Sequence, residues 1–149
     1  MSVTVYTYGY AGLTANDFIN QLQAHTIRQL IDVRRFPNSK TNPDFNQGII
    51  RKLVEERGIS YFWLGESLGG YRDGGYPVYM KSPAFSSGIS DLIRLIQSQR
   101  SAIFCLERKY TQCHRRFIAD ELVRQNFHVK HIIDAQTSID HVIQTDLFH

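Results

Sequence analysis

AIFCLERKYTQCHRRFIADELVRQ, residues 102–125, passes from a short apolar run through a polar connection into a helical pattern. Ala102 to Leu106 reads as a strand. From Cys113 to Gln125, Phe117, Ile118, Leu122 and Val123 recur at the spacing of one buried helix face. Val129 to Ile133 then reads as another strand, so the segment spells strand, helix, strand. Parallel neighbours require such crossovers.

The same alternation extends toward the N-terminus. Val3 to Tyr8 is β-branched and aromatic and stops at a Gly9 turn. Thr14 and Asp17 resemble a capping box opening a helix over Ala15–Ala24, and Leu30–Val33 is a second short strand. Arg34 to Asn46 has no period and reads as a functional loop packed by Phe36 and Phe45. Ile49, Ile50, Leu53 and Val54 form a helical stripe closed by Gly58, and Ile59–Leu64 is a third strand. Ser87 is expected to cap a helix that turns Ile89, Leu92, Ile93 and Ile96 inward.

Five strands alternating with four helices predict a three-layer, Rossmann-like α/β domain with an open, mostly parallel five-stranded sheet and helices on both faces. A strand order of third, second, first, fourth, fifth would put the ligand crevice between the Gly9 turn and Cys105. One domain is expected over residues 1–149, with its core at about 3–134 and a tail, 135–149, packing as an edge segment or short helix.

No run approaches the ~20 apolar residues of a membrane helix, and the start lacks a signal-peptide pattern, so a cytoplasmic protein without membrane contact is expected. In that compartment Cys105 and Cys113 read as free thiols or ligands rather than a structural disulfide, with a reactive pair as the remaining alternative. A net charge of +3 permits a polyanionic partner without demanding one, and the basic residues gather after the second and fourth strands.

The connection from Cys105 to Arg116 is the richest in chemistry. A helix start carrying His114, Arg115 and Arg116 suits an anion, because unpaired N–H groups and the helix dipole reinforce the cations. Cys113 there is a nucleophile candidate, with a small buried residue as the bland alternative. A Cys-x5-Arg phosphatase loop is excluded, since the arginine positions hold Thr111 and Ala119. Cys105, Cys113 and His114 could form a soft-metal set, but the spacing between the cysteines is not a standard ligand pattern; no cofactor is expected. Glu107 can serve as acid or base, or anchor an arginine. Asp32 and Arg34 flank the end of the second strand, where Asp32 could bind ribose or catalyse, or pair with Arg34 internally. The Gly9-Tyr10 turn lacks the dinucleotide glycine pattern. Between Gly65 and Ser87, five glycines accompany Tyr71, Tyr76, Tyr79 and Phe85, which read equally as a stacking lid or as plugs for the core edge.

TYGYAG, IDVRRFPNSKTNPDFN, YFWLGESLGG and CLERKYTQCHRRFIADEL, in that order, resemble the bacterial and archaeal family catalogued as domain of unknown function 488, over roughly Val3 to Asp134. The resemblance implies a compact Rossmann-like domain and marks Gly9, Asp32, Arg34, Pro37, Asn42, Phe45, Leu64, Gly69, Cys105, Glu107, Cys113, His114 and Arg115. It implies no reaction.

The expectation is an enzyme-like domain, such as a hydrolase or transferase, binding a phosphate-bearing ligand, nucleotide or nucleic acid at the strand carboxyl ends. Glu107, Asp32, Cys113 and His114 are the catalytic candidates. Gly9, Tyr10, Arg34, Arg35, Asn42, Glu66, Tyr71, Arg115 and Arg116 are the ligand-binding ones. A non-catalytic nucleic-acid or protein-binding module, and thiol or metal chemistry at Cys105 and Cys113, are the alternatives.

Overall fold

The computed structural model describes residues 3–143. Its elements are β1 (Thr4–Gly9), α1 (Ala15–Ala24), β2 (Gln29–Asp32), α2 (Gln47–Glu56), β3 (Ser60–Trp63), α3 (Gly65–Leu68), α4 (Tyr76–Tyr79), α5 (Pro83–Ser98), β4 (Ser101–Cys105), α6 (Arg115–Arg124), β5 (His128–Ile132) and β6 (Ser138–Asp140). Single 3-10 turns occupy Pro43–Phe45 and Tyr110–Gln112.

Alternation along the strands produces two cores. Tyr6, Tyr8, Leu30, Ala102 and Phe104 face α1 and α2, where Phe18, Leu22, Ile50 and Val54 cover them. Their neighbours Val5, Ile31, Ile103, Cys105 and Val129 face α5 and α6 and meet Ile89, Leu92, Ile118 and Leu122. Because successive strand side chains point to opposite faces, a strand covered on both sides must be apolar throughout, which is why β4 is an unbroken run. The result is the three-layer, Rossmann-like sheet.

The strand order is β3-β2-β4-β1-β5-β6, with β1 to β5 mutually parallel where they pair and β6 antiparallel on β5. The expected order is corrected: β4, not β1, lies beside β2. Gly9 still pairs with Cys105 across β1 and β4. The tail supplies an edge strand, β6, over residues 138–140, and the part of it beyond residue 143 lies outside the described residues.

Two helix starts are also corrected. Ser82, not Ser87, caps α5: its hydroxyl accepts from the Phe85 N–H at 3.2 Å, and Pro83 fills the first helical position, where its missing N–H costs nothing. The last helix begins at Arg115 with His114 at its cap, so Cys113 precedes the helix instead of opening it. No helix among the described residues is long and apolar enough to cross a membrane.

Candidate functional site

The carboxyl ends of β1, β2 and β4 converge on a cavity of about 660 Å3, a volume typical of small-molecule sites. Tyr10, Arg34, Arg35, Phe36, Tyr71, Tyr76, Cys105, Glu107, Cys113, His114 and Phe117 are among the residues around it. Its position depends on a close approach: a side chain on Gly9 would overlap the carbonyl of Glu107, so only glycine lets β1 end against the segment leaving β4. Tyr10 N–H and Ala11 N–H then donate to the carbonyls of Cys105 (3.1 Å) and Leu106 (2.8 Å).

The floor is a cysteine pair. A disulfide joins Cys105 and Cys113, correcting the reading of them as free thiols or ligands and leaving the paired alternative. The Tyr110–Gln112 turn reverses the chain and returns Cys113 over the end of β4, a contact that residue spacing alone does not disclose. Cys105 is buried, whereas Cys113 is half-buried and nearer the opening.

His114 lies beside this pair. Its Nε2 is 2.8 Å from the Val33 carbonyl, which can only accept, so Nε2 carries the hydrogen and Nδ1 presents a lone pair 3.6 Å from Cys113 Sγ. Burial pushes the imidazole down to about 4 against the opposing pull of the Val33 carbonyl, so the ring is neutral near pH 7. Gly70 leaves that side of the ring uncovered, since a Cβ there would stand 3.4 Å from Nδ1.

Arg115 lies behind the floor, almost completely buried. Its Nε donates to Cys105 Sγ at 3.1 Å, Nη1 to Thr7 Oγ1 at 2.9 Å, and Nη2 to the Glu107 carbonyl. Burial lowers the guanidinium to about 10, still protonated near neutrality, with Glu107 opposing that shift. The Glu107 carboxylate is half-buried at the cavity.

Asp32 and Arg34 form an internal clamp. Asp32 Oδ1 accepts from Arg34 Nε (2.9 Å) and its backbone N–H (3.0 Å), and Oδ2 accepts from Nη2 (2.8 Å) and from the Tyr61 hydroxyl (2.5 Å). Arg34 Nη1 also donates to the Phe45 carbonyl at 2.7 Å. Burial works against the Arg34 charge, but the bonds and charge of Asp32 outweigh it and raise its pKa; burial raises the Tyr61 phenol. Asp32 is fully buried behind the wall, while Arg34 reaches the cavity with its fork occupied.

The aromatic loop divides its two readings between residues. Tyr76 is buried and donates to the Leu68 carbonyl (2.8 Å), and half-buried Tyr79 donates to that of Ser67 (2.7 Å), so both plug the core edge. Tyr71 is 84% exposed at the cavity mouth, opposite Phe36 at 64%, with ring centroids 5.9 Å apart. Phe36 is therefore a rim residue, while Phe45 packs the core as expected. Arg35 donates to the Tyr71 carbonyl and lies over the Phe36 ring, holding Tyr71 in left-handed backbone at φ 60°.

The remaining candidates lie elsewhere. Asn42 Nδ2 donates to the Leu13 carbonyl (3.0 Å) and organises the long loop. Glu66 is exposed on α3, and Arg116 rests over the Phe117 ring beside a hollow formed with Tyr110, Asp120 and His141. Among the described residues no group of three or more His, Cys, Asp or Glu is arranged to hold a metal ion. Sequence reasoning missed Thr7, His131 and His141, which meet beneath the floor; the available signal was a polar residue at an inward position of β1 and of β5.

The family described as Domain of unknown function DUF488 matches residues 14–122, a segment containing β2 to β4, most of α6 and both cysteines. No curated protein matches significantly. No solved structure does either.

Proposed function

Because the chain belongs to the family described as Domain of unknown function DUF488, which supplies no reaction, we propose one from the cavity itself: thiol–disulfide exchange at Cys113 and Cys105. The observation that carries this reading is the pair of sulfurs in the cavity floor, with the lone pair of His114 Nδ1 facing Cys113 and the Arg115 N–H facing Cys105.

A substrate thiolate entering the cavity attacks Cys113 Sγ, the sulfur nearer the opening. A substrate–Cys113 disulfide forms, the Cys105–Cys113 bond breaks, and its electron pair goes to Cys105, where the guanidinium of Arg115 stabilises the departing thiolate. A second substrate thiolate attacks the substrate sulfur of the mixed disulfide, leaving as the oxidised product and releasing Cys113. Of the two protons lost by the substrate thiols, one returns to Cys113, whose S–H is oriented by His114 Nδ1, and one goes to solvent. A second disulfide substrate reoxidises the pair by the same steps reversed.

The test is the rate of exchange between dithiothreitol and an aromatic disulfide. The wild-type protein should accelerate it, Cys113→Ser and Cys105→Ser should abolish the acceleration, and Arg115→Lys should slow it about tenfold, since a hydrogen bond to a charged group is worth ~1.5–3 kcal/mol. A wild-type rate no greater than that of the double serine variant rejects the proposal.

The exposed Phe36 and Tyr71 rings with Arg35 beside them favour a second reading, in which the same cavity binds a planar, phosphate-bearing ligand such as a nucleotide. Titration with a nucleotide panel, read by tyrosine fluorescence in wild type and Tyr71→Ala, distinguishes it: binding that depends on Tyr71 supports this reading, and no binding removes it.

A further inference from the structure

Beneath the disulfide, on the α5 and α6 side of the sheet, lies a polar chain of which the exchange steps use only the inner end, Arg115. Arg115 Nη1 meets Thr7 Oγ1 at 2.9 Å, and Thr7 Oγ1 meets His131 Nδ1 at 2.5 Å. His131 Nε2 meets His141 Nδ1 at 2.8 Å, and His141 Nε2 meets Asp120 Oδ1 at 2.6 Å. Thr7 and His131 are register partners on β1 and β5, which is what brings them together. The Tyr110 ring lies flat on His131 at 3.7 Å and fixes its plane.

With both imidazoles neutral, one assignment of hydrogens satisfies every link. A carboxylate only accepts, so His141 carries hydrogen on Nε2 and accepts at Nδ1. His131 must then donate from Nε2 and accept at Nδ1, which takes the hydroxyl hydrogen of Thr7. With that hydrogen committed, the Thr7 lone pairs turn to Arg115, and every bond runs in one direction from the guanidinium to the carboxylate.

Other charged groups bear on the pair from each side. Asp120 and Arg116 approach from α6, and Arg115 lies at the inner end, with Glu107 and Arg108 beyond it. His128, Lys130 and Asp140 on β5 and β6 pair among themselves on the opposite face. Burial above all, with the charge of Arg115 behind it, pushes His131 down to about 3, which keeps it neutral and preserves the ordering.

We infer that Asp120, His141, His131 and Thr7 are positioning residues that aim the Arg115 N–H at Cys105 and make Cys105 the sulfur that ionises when the disulfide opens. The inference rests on the exchange reading for its use in catalysis, but the preparation of Cys105 can be measured without substrate. Holding Nη1 on Thr7 fixes the rotation of the guanidinium, and that rotation determines whether Nε points at the sulfur. A loose arginine would supply charge without direction.

The experiment uses the full chain carrying Cys113→Ser, in which Cys105 is the sole thiol, and follows ultraviolet thiolate absorbance as pH is raised. With the chain intact, thiolate should form well below the ~8.5 of an ordinary cysteine. Thr7→Val should move the profile up by ~1 unit, about a tenfold loss of thiolate at a given pH, and Thr7→Ser should restore it. Asp120→Ala, at the outer and more accessible end, should shift it in the same direction, and it decides the question if Thr7→Val fails to fold. Folded variants whose profiles coincide with that of the parent overturn the inference. If the profile responds to Thr7 and Asp120 but wild-type protein accelerates no exchange, the positioning role stands and the exchange reaction falls. Exchange with an unresponsive profile gives the converse.

Discussion

Arg34→Ala would leave the Asp32 carboxylate buried without its cation, answered only by the Tyr61 hydroxyl and the backbone N–H of residue 34. Removing one member of a buried pair costs ~3–5 kcal/mol, and the midpoint of denaturant unfolding should fall accordingly. Tyr61→Phe removes a single donor and should cost less, ~1–3 kcal/mol. The nearness of Asp32 and Arg34 was legible in the sequence, since only Val33 separates them. Their closed geometry was not, because Tyr61 arrives from β3 and the Phe45 carbonyl from the long loop. The same limit applies to Arg115. Its cationic character at a helix start is plain in the sequence, but whether the guanidinium faces a ligand or a buried sulfur depends on Thr7, more than a hundred residues earlier in the chain.

At the level of elements, α5 shows how local chemistry fixes a boundary. Ser82→Ala should destabilise the protein by ~1 kcal/mol through loss of the cap, whereas Ser87→Ala, inside the helix, should have little effect or stabilise slightly; paired thermal melts would separate them. The Ser82-Pro83 pair is a readable start signal, and placing the start at Ser87 undervalued a proline at the first helical position. The longer strands and helices were otherwise legible to within a few residues because covered strands are continuously apolar and helices carry one apolar face, whereas the one-turn helices α3 and α4, too short to show a period, were read as loop. Strand order was less so. β2 beside β4 and β2 beside β1 bury equally apolar strands, and no residue pattern distinguishes them. The cavity location survived the corrected order because Gly9 and Cys105 are neighbours in either arrangement.

For the whole molecule, two neutral histidines, buried His131 and half-buried His114, set the acid limit. His114 titrates at about 4 and His131 at about 3 in the fold, against ~6.5 when unfolded. Between those values the unfolded chain binds more protons than the native one, so stability rises with pH across the window. The contribution is complete above about pH 6.5, declines on acidification, and is lost once the pH falls below the folded values. Each histidine contributes on the order of a few kcal/mol. Unfolding midpoints measured from pH 7 to pH 4 should fall steeply in wild type and less steeply in His131→Gln; identical slopes would count against the buried neutral state.

The short antiparallel strand β6 delivers His141 into the molecule, and both it and His131 lie past residue 122, while Thr7 lies before residue 14. The disulfide floor with Arg115 and Asp120 therefore comes from the middle of the chain, while Thr7, His131 and His141, most of the device that steadies it, come from the two ends. Loss of the β5–β6 pairing alone would withdraw His141 from His131, and with it the poise of the buried sulfur, while leaving the cysteines, Arg115 and the cavity walls in place.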